Sequence, residues 1–137
     1  MFALTTKTRY SLSAILEIAR CYGAGLVQVK DIAVRHSISP QYLEQLLNRL
    51  AHAGIVRAVR GKNGGYALTN PPGQTSLLNL LESLEGPLEI AQNHAAEDAV
   101  KDIYKQMEDQ IRKVLDVPIS EILKRQEESD RQVIFHI

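Results

Sequence analysis

A chain of 137 residues, 45% of them hydrophobic, suits one folded domain or one small domain with an arm. No apolar run approaches the roughly 18 residues of a membrane span and no signal-peptide pattern opens the chain, so a cytoplasmic location is expected; the single cysteine, Cys21, excludes an intrachain disulfide framework. Net charge is zero, but residues 1–70 carry nine Lys/Arg against three acids, a balance of +6, while residues 71–137 carry seven against thirteen, a balance of −6. Such segregation points to a half that faces nucleic acid and a half that stays off the phosphates.

Residues 5–22 read as a first helix, capped by Thr5 or Thr6, with Leu12, Ile15, Ala19 and Tyr22 at helical spacing. Lys7, Arg9 and Tyr10 crowd its first turns. Cations there oppose the helix dipole, so phosphate contact explains them better than helix stability does; a plain basic surface is the alternative. Gly23 and Gly25 then break the chain, and Val29 to His36 gives a short second helix with Ile32 and Ala33 inward.

The stretch Ser39 to Leu50 reads as a third helix. Ser39 suits the N-cap, Pro40 the first helical position, and Ile38 can staple onto Leu43, while Gly54 closes the far end. Leu43, Leu46, Leu47 and Leu50 form its apolar stripe. Gln41, Tyr42, Gln45, Asn48, Arg49 and His52 lie opposite, and amides, a phenol and a guanidinium can reach base edges and phosphates. A surface helix with ordinary polar cover looks the same taken alone, so the neighbours decide. Two helices joined by a tight turn, Arg35-His36-Ser37-Ile38, make a helix-turn-helix.

After Gly54 the pattern alternates. Residues 55–60 read as a strand, 61–65 as a glycine-rich loop and 66–68 as a returning strand, a hairpin wing with Arg60 and Lys62 at its tip. Its glycines permit close backbone approach, and its cations suit phosphates or a narrow minor groove. The loop lacks the Gly-Lys-Ser/Thr ending and the following helix that a nucleotide cradle needs.

Asn70-Pro71-Pro72-Gly73 marks the expected boundary between a DNA-binding unit, residues 1–73, and a dimerisation and regulatory region, residues 74–137. A helix starting at Thr75 or Ser76 runs through Leu84 to Gly86-Pro87, and residues 88–94 read as a loop. Ala96, Val100, Ile103, Met107, Ile111 and Val114 form a long helical stripe suited to a second copy, with packing inside the chain as the alternative. A last short helix is expected over residues 117–123, then a charged linker, Lys124 to Arg131, and an apolar end, Val133 to Ile137. The fold class is mainly α with a small β-hairpin wing: a winged helix-turn-helix plus a long dimerisation helix.

Four signatures now stand in order: Thr6-Lys7-x-Arg9-Tyr10, Ile38-Ser39-x-x-Tyr42-Leu43-Glu44-Gln45-Leu46, Val59-Arg60-Gly61-x-x-Gly64-Gly65-Tyr66 and Leu84-Glu85-Gly86-Pro87-Leu88. Together they resemble the IscR/CymR (Rrf-two) family of winged-helix transcription regulators over nearly the whole chain. The resemblance implies a homodimeric regulator on a partly palindromic operator. Tyr42, Glu44 and Gln45 would lie at the major groove, Arg60 in the wing, and Lys7, Arg9 and Tyr10 on the DNA backbone. Ser39, Gln41, Arg49 and Lys62 complete the candidate DNA-binding set. Glu44, an acid near phosphates, can accept from cytosine N4. Gln28 and Ser37 depart from the family's usual cap and turn residues.

Many members hold an iron–sulfur cluster on three cysteines after the Glu-Gly-Pro motif, whereas residues 88–115 here contain none, and His94 is the lone candidate donor in that loop. No cofactor and no metal are therefore expected, which resembles the CymR branch. That branch implies repression of cysteine and sulfur genes, with the signal delivered by O-acetylserine thiol-lyase; Ile137 would be the residue that enters the enzyme's cleft, and a tail docked on its own dimer is the alternative. A regulator switched through Cys21, or through a pocket at the dimer interface, is the competing expectation. No Ser/His/Asp pattern or metal-spaced set suggests an enzyme.

Overall fold

The computed structural model describes residues 2–90 and 98–135. Helix α1 (Thr6–Arg20) begins where the Thr5 hydroxyl accepts from the Thr8 backbone N–H, which satisfies one of the helix's free donors. It buries Ala14, Ile15, Ile18 and Ala19 along one stripe. Helix α2 (Val29–His36) ends at Ser37, which takes a left-handed conformation (φ 53°) that glycine or asparagine adopts at less cost. Helix α3 (Pro40–His52) is capped by Ser39, whose hydroxyl accepts from the Tyr42 N–H, and the chain leaves it through Gly54 at φ 79°. Ile38 and Leu43 are both buried, as the staple requires.

Strands β1 (Val56–Val59) and β2 (Gly65–Leu68) pair antiparallel, Val56 opposite Leu68 and Val59 opposite Gly65. Val27, just before α2, exchanges both backbone hydrogen bonds with Tyr66 at 2.9 and 2.8 Å, a third strand position that sequence pattern did not suggest. This pairing explains Gly65, and the tight hairpin loop explains Gly64. A Cβ on Gly65 would stand 2.6 Å from the Val27 carbonyl oxygen, and one on Gly64 would stand 2.1 Å from that of Val59. The close approach expected of these glycines is to the chain's own backbone.

A short 3-10 turn (Pro72–Gln74) leads to α4 (Leu77–Glu85), capped by Ser76. Leu80 and Leu84 of α4 share one core with Ile15, Ile18, Ile32, Leu43, Leu47, Leu50 and Leu68. Residues on both sides of Gly73 thus bury apolar surface together, each large side chain contributing about 1.5–3 kcal/mol. Helix α5 (Asp98–Leu115) follows, with Ala96 and His94 outside the described residues.

The end of the chain differs from expectation. Helix α6 runs from Ile119 to Phe135, so the stretch read as a charged linker, Lys124 to Arg131, is helical. Ile119 is fully buried and Leu123 packs against the core, which anchors the first turns beside α1. Beyond them, Lys, Arg, Gln and Glu are strong helix formers, and Arg125 pairs with Glu121 one turn back at 3.3 Å. Arg20 of α1 also donates to Gln126. Charge without an apolar stripe read as loop, although the composition favours helix. A flexible tether ahead of the apolar end is therefore corrected for residues 124–131, while Ile137 lies outside the described residues.

Candidate nucleic-acid interface

The apolar stripe of α3 faces the core, which turns Gln41, Glu44, Gln45 and Asn48 outward at positions i, i+3, i+4 and i+7, one continuous polar face. Tyr42 and Arg49 flank it, exposed. Tyr42 meets Tyr10 of α1 edge-to-face, with ring centroids 6.1 Å apart, and the Arg9 guanidinium lies 5.2 Å from the centre of the Tyr10 ring. Arg9, Tyr10 and Tyr42, expected as separate contacts, form a single stack that joins the start of α1 to α3.

Arg60 and Lys62 sit exposed on the hairpin loop, facing the polar side of α3 across a cleft of about 720 Å³ lined also by Gln28, Lys30, Glu44, Asn48 and Tyr66. Tyr66 is buried against the core but sends its hydroxyl to Asn48 Oδ1 at 3.0 Å. Burial, then the nearby Glu44 carboxylate, push its phenol above the ordinary value, against the opposing pull of Arg60. The phenol stays protonated, so helix and wing are tied through a neutral hydrogen bond.

Not every cation of the basic half is free for phosphates. Lys7 lies 3.6 Å from Glu85, the last residue of α4, and the Thr5 and Thr8 hydroxyls donate to the same carboxylate. Burial works against ionisation of Glu85, yet these hydrogen bonds and the Lys7 ammonium outweigh it and hold the carboxyl below its usual range. The Glu85 charge at the N-terminus of α1 supplies the dipole partner that Lys7 opposes. Lys7 is thus explained within the fold, contrary to the reading from sequence that stability leaves it unexplained. Arg35 and His36 likewise converge on the buried Glu17, at 3.0 and 2.8 Å, which pins the end of α2 to α1. Neither acid was singled out in the sequence. Their partners lie 18 to 80 residues away, beyond any local pattern, although the Glu85-Gly86 motif itself was visible.

Along α5 the stripe stays open to solvent: Val100, Ile103, Met107 and Val114 are exposed, Ile103 by 56% and Val114 by 72%, and Ile111 is half-buried. Beside it lies an apolar cleft of about 550 Å³ lined by Phe2, Leu4, Leu88, Ile90, Ile111 and Val114. Cys21 is half-buried at the end of α1, packed against the core. No described helix is long and apolar enough to cross a membrane.

Comparison with known proteins agrees with this geometry. Residues 4–125 match the Rrf2 family model, described as an iron-dependent transcriptional regulator. The HTH-type transcriptional regulator CymR of Bacillus subtilis is 34% identical over 116 residues, 82% of this chain and 83% of the relative. Its solved structure superposes with a TM-score of 0.83 at 31% identity, covering 91% of this chain and 98% of that one. The structure of IscR from T. potens gives a TM-score of 0.77 at 32% identity, covering 93% and 90%. The iron in the family description does not fit the donors of this chain. Residues 88–115 offer no thiolate, Cys21 stands alone and half-buried, and among the described residues no group of three or more His, Cys, Asp or Glu side chains converges on a metal position. The winged helix-turn-helix, the cleft between α3 and the wing, and the match over most of the chain place this protein in the Rrf2 family, as a DNA-binding transcriptional regulator of the CymR and IscR type and not an enzyme.

Proposed function

We propose that two copies of this chain join along α5 and repress transcription from a partly palindromic operator, with α3 of each copy in a major groove and Arg60 of each wing on the flanking duplex. The observation that carries this reading is the convergence of the α3 polar face with Arg60 and Lys62 across one cleft. Tyr42, Glu44 and Gln45, with Gln41 beside them, then meet the major groove, while Ser39, Arg49, Lys62, Arg9 and Tyr10 meet the backbone. Residues 1–73 form the DNA-binding unit and residues 74–137 the dimerisation and regulatory region. The apolar stripe through Val100, Ile103, Met107, Ile111 and Val114 supports the pairing, because a second copy would cover what this chain leaves open. The test is to select duplexes from a random pool with the purified protein. Recovery of an inverted repeat supports the reading; recovery of no preferred sequence, or of an asymmetric site, overturns it.

The regulator works without an iron–sulfur cluster, since the donor set does not fit one. The likeness to CymR, described as the global cysteine regulator of B. subtilis, supports control of cysteine and sulfur genes. The signal is then delivered by O-acetylserine thiol-lyase, which takes Ile137 into its cleft. Removing Ile137 should abolish binding and inhibition of that enzyme while leaving the DNA complex intact; equal binding by the truncated chain refutes the partnership. A second reading has the 550 Å³ apolar cleft beside α5 in its favour: a small apolar effector seated at the dimer face. A ligand-induced loss of operator binding that does not need the enzyme separates it from the first. Switching through Cys21 is separated by thiol titration, in which blocking the thiol would release operator.

A further inference from the structure

Asn48 stands on the outward face of α3, one turn after Glu44, and is exposed, yet its amide is not free to turn. The Tyr66 hydroxyl donates to Asn48 Oδ1 at 3.0 Å, and among the described residues Asn48 is the hydroxyl's one hydrogen-bond partner. Turning the amide over would set its NH2 group against the phenol and take away the one acceptor the described residues give the Tyr66 proton, so the arrangement with oxygen toward Tyr66 is the favoured one. Tyr66 cannot follow a rotating amide. Its ring is buried in the core and its backbone is paired on both sides, with Ala58 in β1 and with Val27. The phenol also keeps its proton, because burial and Glu44 raise its pKa.

The consequence is chemical. An asparagine free to orient offers a donor and an acceptor side by side, the pair that matches adenine N6 and N7. With its oxygen held toward Tyr66, Asn48 cannot set donor and acceptor freely side by side, and its N–H donors are the groups left turned away from Tyr66. In the major groove, guanine presents two acceptors, N7 and O6, on one edge; thymine presents one, O4, beside its methyl group, and adenine and cytosine each present an amino group that a donor repels. Glu44, one turn earlier on the same face, offers the opposite, an acceptor. We infer that Asn48 is a specificity-determining residue of this regulator, that Tyr66 positions it, and that the base it selects in each half-site is guanine. This rests on the reading of α3 as the groove-entering helix.

The experiment is duplex selection from a random pool with the full chain, repeated with Tyr66→Phe, Asn48→Asp, Glu44→Ala and Gln45→Ala, with thermal unfolding of each variant alongside. Wild type should require guanine at one position of each half-site. Tyr66→Phe keeps the ring but frees the amide, so adenine should become tolerated at that position by about fivefold or more relative to guanine, with other positions unchanged. Asn48→Asp keeps an acceptor for Tyr66 but replaces the donors, so the preference there should move from guanine to a base with an amino group. A role confined to holding the wing would lower the unfolding midpoint without moving any base preference, and that outcome overturns the inference. So does a shift at a position where wild type does not select guanine. If Glu44→Ala or Gln45→Ala moves preferences and the Asn48 and Tyr66 variants do not, the inference alone falls. If no α3 variant moves any, α3 is not the reading helix and both readings fall.

Discussion

The two halves of this molecule treat apolar surface and charge in opposite ways. In residues 1–70 most of the large aliphatic side chains are buried or half-buried, with Leu4, Val34 and Val59 exposed, and the acids are few; two of the cations, Arg35 and Lys7, are held by Glu17 and Glu85. What remains outside is a polar helix face and a wing. In residues 98–135 the relation differs: nine acids stand against seven bases, and most of the aliphatic stripe of α5 is exposed to solvent. One half is packed around the shared core and leaves open a continuous polar face that suits nucleic acid. The other leaves open a surface that suits protein. On the proposed reading DNA recognition belongs to the first and assembly to the second, and the variants below are chosen to break that division.

The largest effect is expected from Ile103→Asp. On a paired stripe it leaves an unpaired carboxylate buried on both copies, so dimers should dissociate, and the operator affinity gained by joining two half-sites, roughly 10²–10⁴-fold, should go with them. Sedimentation showing an intact dimer would remove α5 from the interface. Next in size is Arg60→Ala, which should cost about 1–3 kcal/mol of operator binding and relax one base position, without any change in self-association. An Arg60→Ala protein that binds like wild type would leave the wing without a role.

Smaller effects sharpen the line between outward and inward cations. Arg9→Ala should lower affinity on all duplexes alike and reduce the salt slope by about 1, because Arg9 stacks on Tyr10 with its charge available. Lys7→Ala should change it less, since Glu85 already holds the ammonium; an equal loss for both would mean that Lys7 leaves Glu85 on binding DNA. The smallest effect is on stability. Glu85 has its folded pKa depressed, so its contribution is complete above the unfolded value of about 4.3 and is lost as pH falls through the lower folded value. Glu85→Gln should therefore unfold at lower temperature than wild type at neutral pH, with the difference shrinking as the solution is acidified below about pH 4. A difference that does not change with pH would mean the carboxylate's charge contributes nothing.

Much of this was legible because it is local. The cap at Ser39, Pro40 at the helix start, the leucine stripe and the change from helical to alternating pattern after Gly54 all act within a few residues, and each gave its element nearly to the residue. The outward polar face of α3 followed from the same stripe, read from its other side. What was not legible depends on distance along the chain or on the absence of a stripe. Val27 pairs with Tyr66, Asn48 with Tyr66 and Glu85 with Thr5 and Thr8, and no local periodicity encodes those meetings. The tail was misread for a different reason. Lys124 to Arg131 has no apolar face to detect, so its helix rests on propensity, one ion pair and the anchoring of Ile119, weak signals beside a run of charge.

The central claim is that the basic half reads DNA while the open stripe of the acidic half brings two such readers together. It is tested most directly by measuring the mass of the complex formed on the selected operator duplex and on a duplex holding one half-site, by sedimentation across a range of salt. The account predicts two protomers on the full operator, affinity that falls steeply with salt, and much weaker binding to the half-site. A single protomer bound to the full operator, at an affinity the half-site matches, would contradict it.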